Sequence, residues 1–148
     1  MRNGRPLAVL AALAVCLLLV GCGARADLTF TMEGGSYSAA DLEPLLAAAD
    51  LGATARVATS EAPDVRIEVL AQLRQQGDDA IALADTLTSD FPVDVAAVPV
   101  AVEAATYEGE PAWIVIEAWG DEDGALTHRR LWVFSKSDQS VLAALSHE

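Results

Sequence analysis

The spacing of apolar residues divides the chain into a helical first part and a stranded second part. Apolar residues recur every three or four positions, which predicts a helix at residues 41–50 and a longer one at residues 63–89. The period continues in phase across Gly77, although glycine costs about 1 kcal/mol relative to alanine in a helix. This continuity favours one long helix, which ends before Pro92 because proline disfavours a helical residue before it.

After Pro92 the pattern changes to that of β-strands. A β-branched stretch predicts a strand at residues 93–102, where Pro99 suggests a sheet edge or a bulge. Further strands are predicted at residues 112–119, 126–134 and 140–146. Short polar turns separate these strands, so consecutive strands should be antiparallel neighbours.

The predicted fold is therefore α+β, with two helices followed by an antiparallel meander of about four strands. The long helix should pack on one face of the sheet. In element order alone, this arrangement resembles cystatin-like folds.

The beginning of the chain has a different character. Arg2 and Arg5 precede an apolar run over residues 7–20. This run is shorter than the about 20 residues that a membrane-spanning helix needs. Its length and basic flank are typical of a secretory signal peptide.

The run ends in "LVGC", which resembles the lipobox of bacterial lipoprotein signal peptides. Leu19 and Val20 are apolar, Gly21 is small, and Cys22 stands at the position of the lipidated cysteine. The resemblance covers residues 1–22 and implies attachment of diacylglycerol to the Cys22 sulfur, followed by cleavage before it. It also implies a protein anchored by lipid to the cell membrane, facing the extracytoplasmic side. The alternatives are an uncleaved anchor or a buried apolar helix with an incidental cysteine.

This interpretation sets the domain organisation. Residues 1–21 form the signal peptide, and residues 22–36 form a lipidated tether with a possible short strand. Residues 37–148 form a single α+β domain. Cys16 leaves with the signal peptide, so the lipidated Cys22 is the sole remaining cysteine and no disulfide can form within the mature chain.

The charge of the chain is strongly acidic, with 22 acidic residues, nine basic residues and a formal net charge of −13. Binding to nucleic acid needs lysine and arginine to displace the counterions of phosphates, which excludes that class of partner. The same charge disfavours adsorption to anionic lipid, so membrane residence should rest on acyl chains.

The search for catalytic or metal-binding motifs finds little. There is no Gly-x-Ser-x-Gly motif, and the two histidines, His128 and His147, do not make a zinc site. Asp121 and Asp123 fit the third and fifth positions of a calcium loop, but the first and twelfth positions lack side-chain oxygens. We therefore expect no cofactor, and weak cation binding at these two aspartates stays open.

Three tryptophans are the remaining candidates for a binding site. Trp113 and Trp119 lie on one face of the predicted strand at residues 112–119, and Trp132 lies on the next strand. If the strand register brings them together, they form an aromatic surface of the kind that binds partners or ligands. The alternative is that the helix at residues 41–50 and the N-terminal strand cover them.

Three classes of function follow from these observations. The first is a non-catalytic, lipid-anchored interaction or accessory domain of the cell envelope, whose partner is an unknown envelope protein or ligand. The second is a carrier for an apolar ligand or lipid, with a pocket lined by Val69, Leu73, Ile114 and Ile116. The third and most remote is an enzyme, because no set of titratable groups is recognisable.

Overall fold

The computed structural model describes residues 26–91, 96–121 and 123–148, and Cys22 with the signal segment lies outside them. The helices are α1 (Ala39–Ala47), α2 (Ala62–Arg74) and α3 (Asp78–Ser89), with a 3-10 helix at Gly52–Arg56. The strands are β1 (Thr29–Thr31), β2 (Ser36–Tyr37), β3 (Ala96–Tyr107), β4 (Glu110–Gly120), β5 (His128–Ser135) and β6 (Val141–His147). None of the described helices is long and apolar enough to cross a membrane.

The strands form one sheet in the order β1-β3-β4-β5-β6, and β2 also pairs with β3. Strands β3 to β6 are antiparallel neighbours. The turn between β3 and β4 holds Glu108 and Gly109 at φ values of 48° and 87°. Two successive residues with positive φ are typical of a tight hairpin turn. The register of β3 on β4 shifts between Pro99 and Ala101, where a bulge was one expectation.

The prediction of an antiparallel meander of about four strands is wrong, although the fold remains α+β. The described sheet has six strands and is mixed, because β1 and β2 run parallel to β3. These two strands have three and two residues. β1 lies in the segment where a possible short strand was predicted, but the sequence does not indicate its parallel pairing with β3.

The prediction of one long helix at residues 63–89 is also wrong. The chain leaves α2 after Arg74 and begins α3 at Asp78. Between them Gly77 adopts φ 121° and ψ 176°, a conformation that essentially only glycine reaches. Asp78 and Asp79 then lie in the first turn of α3, where carboxylates favour the helix dipole.

Both faces of the sheet are covered by helices, and the described element order differs from the predicted cystatin-like order. Leu42 and Leu46 of α1 pack with Ile114 and Ile116 of β4 in one buried cluster. A second cluster joins residues of α2 and α3 to the opposite face; it contains Leu70, Leu73, Leu83, Leu87, Trp113, Val115 and Phe134. The sheet therefore lies between two helical layers, and β4 runs through its buried centre.

Candidate functional site

The centre of β4 carries a buried carboxylate, Glu117, on the face that α2 and α3 cover. Its side chain is 1 % exposed. Oε1 accepts a hydrogen bond from Arg66 Nη1 at 2.7 Å. Oε2 accepts from Arg130 Nε at 3.0 Å and Nη2 at 2.7 Å, and from Trp132 Nε1 at 2.9 Å. Four donors thus satisfy the two carboxylate oxygens.

Two opposing effects set the charge state of Glu117. Burial alone raises the pKa of its carboxyl group, because desolvation penalises the charged form. The nearby charges and hydrogen bonds of Arg66 and Arg130 outweigh burial, so the pKa lies below its ordinary value. Glu117 is therefore a stable anion at neutral pH, which makes it a poor general acid or base.

Arg66 connects this carboxylate to the surrounding elements. Its Nη1 also donates to the carbonyl oxygen of Ala97 on β3 at 3.0 Å. Its Nη2 donates to the carbonyl oxygen of Leu87, near the end of α3, at 3.0 Å. One guanidinium group thus ties α2 to α3, β3 and β4, which gives the cluster around Glu117 a structural role.

Beside this cluster lies a half-buried group of Trp119, His128, Arg130 and Trp132, which we name the tryptophan–arginine patch. The register pairs Trp119 with His128 and Glu117 with Arg130, so these side chains share one face of the sheet. The rings of Trp119 and His128 have centroids 4.8 Å apart. The guanidinium of Arg130 lies over the Trp132 ring, 5.0 Å from its centroid.

The patch differs in charge from the rest of the chain. Among the described residues, Arg66 and Arg130 form ion pairs with one carboxylate, Glu117, so these three side chains carry a net positive charge in a chain whose net charge is −13. Arg130 is 19 % exposed, and its Nη1 makes no hydrogen bond within the described residues. Tryptophan and arginine are the residue types most enriched where protein partners bind tightly.

Trp113 shares this face but lies outside the patch. It is 1 % exposed, beneath α2 and α3. The helix expected to cover it, at residues 41–50, does not do so, because α1 packs on the opposite face of the sheet. Of the N-terminal strand, Phe30 does contact it, with ring centroids 5.9 Å apart. The Lys136 ammonium lies 4.2 Å from the centroid of the Trp113 ring.

The other candidate residues do not converge on a site. Asp121 and Asp123 are exposed, and the described residues contain no group of three or more potential ligands that could hold a metal ion. Cys22 lies outside the described residues.

The four residues expected to line a carrier pocket belong to the packed clusters instead; they are Val69, Leu73, Ile114 and Ile116. Two cavities of about 250 Å³ lie elsewhere on the molecule. Asp78 and Asp79 line one, and Asp27 and Asp50 line the other. Carboxylates in the walls do not suit an apolar ligand.

Comparison with protein-family models, curated proteins and solved structures found no match to this chain. The site geometry and the sequence therefore carry the functional argument.

Proposed function

We propose that this protein is a non-catalytic interaction or accessory domain of the cell envelope, anchored to the extracytoplasmic side of the membrane through Cys22. The observation that carries the proposal is the tryptophan–arginine patch. It brings two half-buried tryptophans and a half-buried arginine together on one face of the sheet.

A binding role agrees with the chemistry of the patch. Trp119 and Trp132 offer apolar area with little conformational freedom to lose, and Arg130 keeps one nitrogen for an acceptor on a partner. The expected partner therefore presents an apolar surface beside a carboxylate or carbonyl oxygen.

The absence of catalysis is supported by the state of Glu117. It is the one buried carboxylate among the described residues, and its oxygens are occupied by Arg66, Arg130 and Trp132. Its lowered pKa makes proton transfer near neutral pH unfavourable. The cluster supports the patch from beneath, and its carboxylate is held by these donors rather than free to act on a substrate.

Anchoring rests on the lipobox resemblance of residues 19–22. Lipid attached at Cys22 supplies the membrane affinity that the charge of the chain opposes, since each buried methylene contributes roughly 0.8 kcal/mol. The net charge of −13 keeps the domain itself off an anionic surface.

The proposal is tested by replacing an exposed residue next to the patch. Ser146 on β6 is the cross-strand partner of Arg130, so Ser146→Glu brings a competing carboxylate to Arg130. Ser36→Glu is the matched control, because Ser36 is equally exposed on β2 at the other edge of the sheet. We expect partners that co-purify with the wild-type chain from the cell envelope to be lost with S146E and retained with S36E.

Equal recovery of the same partners with both variants contradicts the proposed surface. Far-UV circular dichroism of both variants provides the control for folding.

A further inference from the structure

Of the two strands that end the described sheet, β1 and β6, the longer one is β6, with seven residues against three. The strand order ends there, and β6 pairs with β5 alone. Outside the regular ladders, no described backbone hydrogen bond involves Val141–His147. The backbone amide and carbonyl groups on the outer side of β6 are therefore available to form hydrogen bonds with another strand.

This edge lacks the usual charged protection. Residues 141–146 contain no charged side chain and no proline, in a chain with a net charge of −13. Val141 and Leu142 are 46 % and 37 % exposed. Natural edge strands are usually protected by lysine, proline or a bulge. Of these devices β6 has the bulge alone, where its register on β5 shifts next to Phe134.

The opposite edge of the described sheet is formed by β1 and β2, which have only three and two residues. There β1 and β2 pair with β3. Beyond them, the side chain of Arg66 binds the carbonyl oxygen of Ala97 on β3. Strand β6 is therefore the longest edge strand of the described sheet.

We propose that β6 pairs antiparallel with β6 of a second copy of this chain, which joins the two sheets about a two-fold axis. A strand that pairs with residues 141–146 should itself be uncharged, because a charged strand would find no opposite charge there. Residues 141–146 of a second copy meet this requirement. With Ala144 on the axis, Ala143 faces Leu145 and Leu142 faces Ser146 of the second copy. No like charges oppose each other in this register. Because the two-fold axis pairs β6 of one copy with β6 of the other, this contact uses up the same edge in both copies and assembly closes at the dimer.

The dimer also places the two binding surfaces together. A two-fold axis normal to the sheet keeps both tryptophan–arginine patches on the same side. Trp132 is the cross-strand neighbour of Ala144, so the two copies of Trp132 stand three strand spacings apart, about 14 Å. The paired patches therefore form one broad surface.

The test is sedimentation velocity of the full chain in density-matched detergent over a range of concentrations. Ala144→Lys places like charges opposite each other at the axis, which costs several kcal/mol in an interface. Ile67→Lys is the matched control, since Ile67 is 67 % exposed on α2. We expect wild type and I67K to dimerise equally and A144K to dimerise at least about tenfold more weakly.

Two results would overturn the proposal: a wild-type chain that stays monomeric at every concentration, or an A144K chain that dimerises as well as I67K. Leu142→Lys repeats the test at a second exposed position of β6. Weaker dimerisation of A144K can then be distinguished from a folding defect of that one variant. The measurement uses the purified chain without a partner. A negative result therefore counts against the dimer and leaves the proposed binding of an envelope partner to its own test.

Discussion

Replacing Glu117 by glutamine is expected to lower the free energy of unfolding by about 3–5 kcal/mol. The substitution keeps the size of the side chain but removes the negative charge between Arg66 and Arg130. The side chains of these two arginines are 11 % and 19 % exposed, so they would keep a positive charge in a largely buried site without compensation. Removing one partner of a buried ion pair is far more costly than removing a surface charge.

Urea unfolding measures this loss, and Glu110→Gln is the matched control. Glu110 begins the same strand but is exposed, so its substitution should change stability by less than about 0.5 kcal/mol. A loss below about 1 kcal/mol for E117Q would contradict the structural role of the cluster.

The difference in unfolding free energy between wild type and E117Q should depend on pH. The pKa of Glu117 in the folded state lies below its ordinary value, so its carboxylate stabilises the fold above the pKa of the unfolded chain, about 4.3. As the pH falls through the lower, folded-state pKa, that contribution is lost. The stability difference between wild type and E117Q should thus be constant between about pH 6 and 8 and shrink below about pH 4.

The spacing of apolar residues and the polar turns predicted those strands that neighbouring residues in the chain specify. The run "AWIVIEAW" specifies β4, and the polar turns around it specify antiparallel neighbours. A possible short strand was predicted within residues 22–36, where β1 lies, but no local signal indicates its parallel pairing with β3, about 70 residues later in the chain. Strand β2 was not predicted, because its two residues depend on the same kind of pairing. The helix break at Gly77 was missed because an unbroken apolar period does not require an unbroken helix.

The candidate site was predictable only in part. The sequence places Trp113 and Trp119 on one face of a strand, but it gives neither the register that adds Trp132 to that face nor the helices that bury Trp113. Arg66 lies 51 residues before Glu117, and no local spacing indicates their contact. One signal was available: β4 is apolar on both faces, which is typical of a strand buried on both sides. A glutamate in such a strand needs a buried partner of opposite charge.

Replacing Cys22 by alanine is expected to move the protein from the membrane fraction to the soluble fraction. The substitution removes the thiol that would carry diacylglycerol, and with it the acyl chains that provide membrane affinity. The apolar run at residues 7–20 is too short to replace them as a spanning segment. The net charge of −13 gives the domain no attraction of its own for anionic lipid.

Membrane fractionation with immunodetection measures this change, and Cys16→Ala is the matched control. Cys16 lies inside the apolar run, so its loss should leave the protein in the membrane fraction. Full membrane retention of C22A would contradict lipid anchoring at this residue.

The central claim, that the tryptophan–arginine patch binds a partner, is tested most directly by photo-crosslinking in the intact envelope. A photoreactive residue at Ser146 lies beside the patch, and one at Ser36 on β2 serves as the distant reference. We predict a discrete adduct with another protein from Ser146 that is absent from Ser36, whereas an adduct of two copies of this chain would report the β6 dimer. The absence of any such heterologous adduct at Ser146, or the same adducts from both positions, would contradict the account.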